Sequence, residues 1–352
     1  MTTQENAEQQ VLFEVQGALG RITLNRPKAL NSLTFDMVRA VTSALEQWRT
    51  DDRVRAVLVE GAGERGLCAG GDIRAMYDAV RAGRVDLTET FWAAEYRMNA
   101  ALARYPKPVV GIMDGICMGG GVGISAHGSH RVVTERSKVG MPEVGIGFAP
   151  DVGGTYLLSR APGELGTHLA LTGEPVSGAD ALHCGLADHY VPGTDLDDLV
   201  TALTSGEVDA CLEKYSTTPP RSELAQAAAW IDEVYARDSV EEILEGLRSR
   251  PEEEAQRAAS TIATKSPTSL KVTLRELRGA RELDSLERAL EQEYRVSLGC
   301  VHRGDFMEGV RATVVDKDRN PSWSPATLAD VDEERVAAFF ERPAGGDLVL
   351  PT

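Results

Sequence analysis

The stretch PVVGIMDGICMGGGVGI (108–124) decides how this sequence is read. Its first half, PVVGIMDG (108–115), is a nearly unbroken apolar run that ends in glycine. Strands buried on both faces of a parallel sheet read this way. Its second half crowds glycines into the turn that opens a helix expected over about 120–127. GLCAGGDI (66–73) has the same design, with glycines between a strand-and-loop and a helix start. First helical turns carry unpaired backbone N–H groups that favour negative charge. Glycine removes the side chain that would keep a ligand away from them. Two such turns converging would offer two donors to a developing oxyanion. On the glycines alone a second reading stays open, in which they only permit tight turns and close helix packing. A phosphate loop is the poorer rival, because neither G-x-x-x-x-G-K-[ST] nor G-x-G-x-x-G occurs here.

Working outward, VLFEVQGALGRITLNRP (11–27) has two short alternating strands around a glycine, the pattern of a β-hairpin. Over 34–49 the positions Met37, Val38, Val41, Leu45 and Trp48 follow helical spacing. VRAVLVEG (54–61) is another buried strand, helices are expected over 72–82 and 88–104, and RVVTE and SKVGM (131–141) are strand-like. Strands alternating with crossover helices through about residue 190 indicate an α/β domain with parallel pairing. Beyond about 195 strand signals vanish, and amphipathic helical patterns run over 221–248, 253–263, 268–280, 284–299 and 303–314. DKDRNPSWSP ends regular structure before a last short helix near 327–341. The expected organisation is a disordered lead-in over 1–10, an α/β core over 11–195 and a helical C-terminal region over 196–345.

Composition narrows the function classes. A chain of 352 residues with 42% apolar and 26% charged content can bury a substantial core. Its net charge of −17 argues against nucleic acid or an anionic membrane as the main partner. No run approaches the roughly 20 apolar residues of a membrane span. MTTQENAEQQ (1–10) has neither the basic cluster nor the apolar run of a targeting segment. The five cysteines are odd in number, scattered and never in a C-x-x-C pair, which reads as reduced thiols in a cytoplasmic protein. His127 and His130 lack an acidic ligand at metal spacing, and Ser125 with His127 makes no triad. Cys68 and Cys117 flank the glycine turns, where a small packing residue is the reading preferred over a thiol nucleophile.

Taken together, NRPKALNSL (25–33), CAGGDI (68–73), MGGGVG (118–123) and MPEVGIGFAPDVGG (141–154) resemble the crotonase, or enoyl-CoA hydratase/isomerase, superfamily. The tail motifs EYRVS (293–297), DFMEGVRA (305–312) and DKDRNPSW (316–323) are similar to one branch, the 3-hydroxyisobutyryl-CoA hydrolases. The resemblance implies a spiral of ββα units that binds an acyl-CoA thioester. It assigns oxyanion donation to the backbone amides of Gly71 and Gly120, and substrate contacts to Lys28, Leu30, Ala69 and Ile73. Arg26, Lys28 and Arg74 are the candidates for a local cationic patch that CoA phosphates would need on so acidic a chain. Relatives of this fold often form trimers or dimers of trimers, so a homo-oligomer is possible, although the helical tail would cover surface used for assembly.

The acids discriminate among family chemistries. Hydratases use two glutamates on opposite sides of the substrate double bond; here the later one is Glu143, and Gly123 stands at the earlier position. Asp151 follows Glu143 at the E-x₇-D spacing of the hydrolase branch. Glu143 could attack the carbonyl or activate a water, with Asp151 positioning that water or holding a 3-hydroxyl group. A carboxylate in such a Gly- and Pro-lined segment is expected to have a raised pKa from desolvation. Glu95, in FWAAEYRMN (91–99), shares a helix face with Phe91, Trp92 and Met98 or Asn99, and the resemblance gives it a substrate contact. The expected activity is hydrolysis of an acyl-CoA thioester, 3-hydroxyisobutyryl-CoA first, with an enoyl-CoA hydratase or isomerase and, from another class, a non-catalytic scaffold or RNA-binding relative as the alternatives. No separate cofactor and no metal are expected, CoA being part of the substrate.

Overall fold

The computed structural model describes residues 10–351. The lead-in expected to be disordered lies outside the described residues except for Gln10. Its carbonyl accepts from the Asn25 amide at 2.7 Å and its side chain from the Thr34 hydroxyl at 2.8 Å. By contacts the chain forms two compact units, each assembled from separate stretches: up to Asp72, Ala94–Gly140 and Pro175–Ala225 in the first; Ile73–Ala93, Met141–Glu174 and residues from Gln226 onward in the second.

The first unit holds the strands. In chain order they are β1 (Val11–Gln16), β2 (Leu19–Leu24), β3 (Ala56–Gly61), β4 (Gly66–Cys68), β5 (Val109–Met113), β6 (Ile116–Met118), β7 (His130–Val133), β8 (Lys138–Gly140), β9 (Val176–Ser177) and β10 (His189–Tyr190). A six-stranded sheet runs β1-β2-β3-β5-β7-β10, and a four-stranded sheet runs β4-β6-β8-β9. The expected hairpin is present: β1 and β2 pair antiparallel around Gly17, whose φ of 59° suits glycine. β2, β3, β5, β7 and β10 pair parallel. Each strand–turn–strand passage, β3 to β4 and β5 to β6, therefore carries the chain from one sheet into the other. The helix Phe35–Arg49 starts on a Thr34 cap and buries Met37, Val38, Val41, Leu45 and Trp48, the stripe read from the sequence. Helices Leu196–Leu203 and Val208–Tyr215 bury Leu199, Leu203 and Leu212 in one cluster with Leu58, Val110 and Val132 of the large sheet.

The second unit is helical. Pro267–Ala280 and Leu286–Arg303 are its longest helices lying wholly within it, and Trp92, Phe148 and Phe306 form an aromatic cluster with centroids 5.3–6.3 Å apart. Arg278 and Arg281 both clamp the Glu164 carboxylate at 2.8 Å. The single helix expected over 221–248 is two, Glu223–Tyr235 and Val240–Ser249. Ser239 and Glu242 form a reciprocal capping box, so a new helix starts where the apolar periodicity alone runs on. The pattern over 303–314 resolves into Phe306–Val310 and a π-helical turn, Arg311–Val315. No helix among the described residues is long and apolar enough to cross a membrane.

Candidate active site

In the first unit the two glycine turns meet. The first is held by the segment around Asn31, whose left-handed φ of 55° turns the chain back. Its buried side chain donates to the carbonyls of Ala62 at 3.0 Å and Gly66 at 3.2 Å and accepts from the Arg26 amide at 2.9 Å. From this latch, the Ala69 amide donates to Leu30, the Leu33 amide to Gly70 and the Asp72 amide to Leu33, each at 2.9 Å. The second turn follows β6: Gly119, at φ 51°, donates to Gly140 and opens the short helix Gly120–Ser125. A Cβ built on Gly120 would lie 3.2 Å from the Gly71 amide nitrogen and 2.7 Å from Oε1 of Glu95. Gly71, Gly120 and Glu95 therefore border one small space that only a glycine at 120 leaves open. Glu95 is 2% exposed, on the face it shares with Phe91, Trp92 and Met98, as the helical spacing predicts.

The same unit carries a cleft of about 360 Å³ lined by Leu30, Glu64, Arg65, Ile116, Arg136 and Lys138 among others. Arg65 donates to the carbonyls of Pro27 and Lys28, and Arg136 pairs with Asp114 at 2.8 Å. Lys28 is exposed on the short turn Pro27–Ala29. Leu30 and Ala69 are half-buried and hydrogen-bonded to one another through the backbone.

Glu143 and Asp151 belong to the second unit, as does Ile73, the half-buried first residue of helix Ile73–Arg81. Glu143 opens a 3-10 turn, Glu143–Ile146, and is 6% exposed; Asp151 is 7% exposed. Neither is a surface loop residue. The segment after Asp151 is strained: Val152 has φ 54° and Gly153 φ 80°. Glu293, on helix Leu286–Arg303, accepts from the Gly153 amide at 2.6 Å, the Thr155 amide at 3.0 Å and the Thr155 hydroxyl. Burial pushes the Glu293 carboxyl up to about 7, against the pull of those hydrogen bonds, and the Asp151 charge adds to the rise. Glu276, on helix Pro267–Ala280, is fully buried, and neither of its oxygens has a hydrogen-bond partner. Burial, then the charges of Glu293 and Asp151, raise it well above the ordinary carboxyl range, which favours its protonated form.

The structure thus brings Gly71, Gly120 and Glu95 together, and Leu30 with Ala69. One candidate needs correction. Arg26 is no free phosphate ligand: it bonds Asp72 and the Ser32 hydroxyl, each at 3.0 Å, and so braces the first glycine turn. Arg74 pairs with Asp78 one helical turn away, an exposed pair that does not withdraw it from the candidates. The thiols flanking the turns are not poised to attack, because burial raises the Cys68 thiol and pushes Cys117 up to about 12. His130 bonds Ser129 and Asp209, and no group of three metal-ligating side chains occurs among the described residues. Sequence reasoning missed Arg136 and Lys138, and it assigned no role to Glu276 or Glu293. A signal for the last two existed. Glu293 falls on the stripe Leu286, Ala289, Leu290, Val296, Cys300, and Glu276 on Val272, Leu277, Ala280, where a charge is out of place.

Comparison with known proteins agrees with this architecture. A family model described as enoyl-CoA hydratase/isomerase matches residues 19–340. The chain is 43% identical to the mitochondrial 3-hydroxyisobutyryl-CoA hydrolase of Danio rerio, over 98% of this chain and 92% of that protein. Its identity to the Homo sapiens protein of that name is 39%, over 99% and 92%. Among solved structures, a carnitinyl-CoA dehydratase from Mycobacterium thermoresistibile superposes with TM-score 0.93 at 54% identity, covering 97% of this chain and 98% of that one. An enoyl-CoA hydratase from Rhodobacter sphaeroides superposes with TM-score 0.92 at 38% identity, covering 97% and 100%. The curated relatives overturn the cytoplasmic reading, since by name they are mitochondrial enzymes. Unpaired cysteines report a reducing environment and do not say which compartment supplies it. With α/β sheets, paired glycine turns, a matching family model and full-length relatives, the chain belongs to the enoyl-CoA hydratase/isomerase, or crotonase, family.

Proposed function

We propose that this chain is an acyl-CoA thioester hydrolase whose substrate is 3-hydroxyisobutyryl-CoA, cleaved to 3-hydroxyisobutyrate and free CoA. The observation that carries the reading is the set of acids: Glu143 and Asp151 are present and buried, while Gly123 stands where a hydratase needs its second glutamate. The curated relatives bearing the hydrolase name support it over nearly the whole chain.

In this reading the thioester oxygen accepts from the Gly71 and Gly120 amides, which polarise the carbonyl and hold the oxyanion as it forms. Glu143 takes a proton from the attacking water, or attacks the carbonyl itself to give an anhydride that water then opens. The tetrahedral centre collapses with loss of CoA thiolate, which takes up the proton that Glu143 removed from water or, in the anhydride route, one released when water opens the anhydride. A single turnover in ¹⁸O-water separates the routes, since only the anhydride leaves label in the enzyme carboxylate when water attacks there. Asp151 orients the water or accepts the substrate 3-hydroxyl, and Glu95 contacts the acyl group. The cleft lined by Arg65, Arg136 and Lys138, beside Lys28 and Leu30, takes the anionic end of CoA; Arg136 is half-exposed despite its pair with Asp114, whereas Arg26 is spent inside the first glycine turn. Self-association is a further proposal, read by light scattering.

The names of the two well-superposed solved structures favour a second reading, hydration or dehydration of an acyl-CoA. Adding water across a double bond needs a base and an acid within reach at once. Following enoyl absorbance and thiol release in parallel decides between them. Thiol release from 3-hydroxyisobutyryl-CoA with a stable enoyl signal from methacrylyl-CoA is expected. Loss of the enoyl signal without thiol would establish the second reading instead.

A further inference from the structure

We propose that Glu293 is a positioning residue for the reaction: its carboxylate pins the strained segment 151–155 and thereby aims Asp151. The inference rests on the role proposed for Asp151.

The backbone itself calls for such an anchor. Val152 is β-branched and holds φ 54°, the left-handed region that such a residue avoids. Strain of this kind persists only when the surroundings over-determine the conformation. Glu293 supplies that determination from the helix Leu286–Arg303. One oxygen takes the Gly153 amide, and the other takes the Thr155 amide and hydroxyl. All three donors lie within four residues of Asp151, and Glu293 is fully buried, so water does not compete for them.

The neighbours decide where the charge sits. Three donors converge on Glu293 and none on Glu276, so of the two buried carboxyls the former is the better placed to carry charge. Asp151 lies close enough for its charge to act on both, and on the buried Cys300 thiol of the same region. A second anion at Glu276 would push against Asp151; a neutral acid there does not.

Glutamine is the informative replacement at 293. Its one carbonyl oxygen can serve only one side, and its NH₂ then faces a backbone N–H donor. The test uses the full chain and measures kcat and KM for 3-hydroxyisobutyryl-CoA in Glu293→Gln, Asp151→Asn and the double variant. A fall of kcat by about tenfold or more is expected in Glu293→Gln with KM within about threefold, and the double variant should be no slower than Asp151→Asn within about threefold. A merely structural role would multiply the two losses, and that result overturns the proposal, as does an unchanged kcat. If Glu293→Gln does not fold, Thr155→Val keeps the backbone donors and shape and removes only the hydroxyl. The same pattern in smaller amplitude is expected there, and a silent Thr155→Val refutes the inference. Should the wild-type chain release no thiol from any acyl-CoA, the proposed function fails. Amide exchange over 151–155 then still reads the anchor: Thr155→Val should exchange faster, and equal protection would refute it.

Discussion

Replacing Gly120 by alanine isolates the oxyanion site from the fold. A Cβ at this position would stand 2.7 Å from Oε1 of Glu95, 3.2 Å from the Gly71 amide nitrogen and 3.3 Å from the Gly70 carbonyl carbon. It would occupy the space in which an oxyanion must sit to reach both donors. Removing one such donor raises the barrier by about 2.7–4 kcal/mol, so kcat should fall by roughly 10²–10³-fold. Stability is a separate matter. Gly120 opens a helix and does not have a positive φ, so alanine gains up to about 1 kcal/mol of helix propensity. The contact with Glu95 is with the end of a flexible side chain, which can give way, while the Gly70–Gly71 backbone must yield by a few tenths of an ångström, so only a small net change in stability is expected. Gly121→Ala is the control, because its Cβ would meet the Cys68 carbonyl oxygen at 2.5 Å, and backbone cannot swing aside. The assay pairs thiol release with a thermal melt on each variant. Gly120→Ala should be nearly inactive at close to the wild-type Tm, and Gly121→Ala should melt lower. A Gly120→Ala variant with kcat within about threefold of wild type would refute the oxyanion assignment, since the expected loss is at least about a hundredfold.

Three further outcomes are expected. Glu143→Gln keeps size and hydrogen-bonding capacity but removes base and nucleophile, so thiol release should fall roughly 10²–10⁴-fold while calorimetry still detects CoA binding; near-normal turnover in a folded variant would remove Glu143 from the chemistry. Glu276→Gln should change how stability depends on pH. The folded pKa of Glu276 lies well above its ordinary 4.5, so its contribution is full below that value and is lost as pH rises towards the folded pKa. Glutamine has no proton to lose, so the variant should gain on wild type between pH 5 and pH 8 in thermal melts, and a gap independent of pH would mean Glu276 is not held neutral. Cys117, with its thiol pushed up to about 12 by burial, should resist iodoacetamide at pH 8 in the folded protein, and rapid alkylation with loss of activity would reinstate a thiol mechanism.

Much of the fold was legible because it rests on local periodicity. The apolar runs of β3 and β5, the Thr34-capped stripe of Phe35–Arg49 and the hairpin glycine each announce themselves within a few residues. The break at Ser239 was not weighed, because a capping box hides inside a continuous amphipathic pattern. The glycine turns were legible as turns. That Gly71 and Gly120 face one another beside Glu95 depends on β4 pairing with β6, a contact between segments about 50 residues apart. The chemistry of the acids divides the same way. Sequence spacing and family likeness singled out Glu143, Asp151 and the missing partner at Gly123. Only the tertiary structure showed that Arg26 is spent on Asp72 and that Glu276 and Glu293 stand next to Asp151. The reason is physical. Secondary structure follows from torsional preference and from how apolar side chains repeat along the chain, both local properties. The charge state and partner of a buried group follow from how many donors, charges and waters surround it, and those come from residues more than 100 positions away in sequence, as Thr155 and Glu293 do.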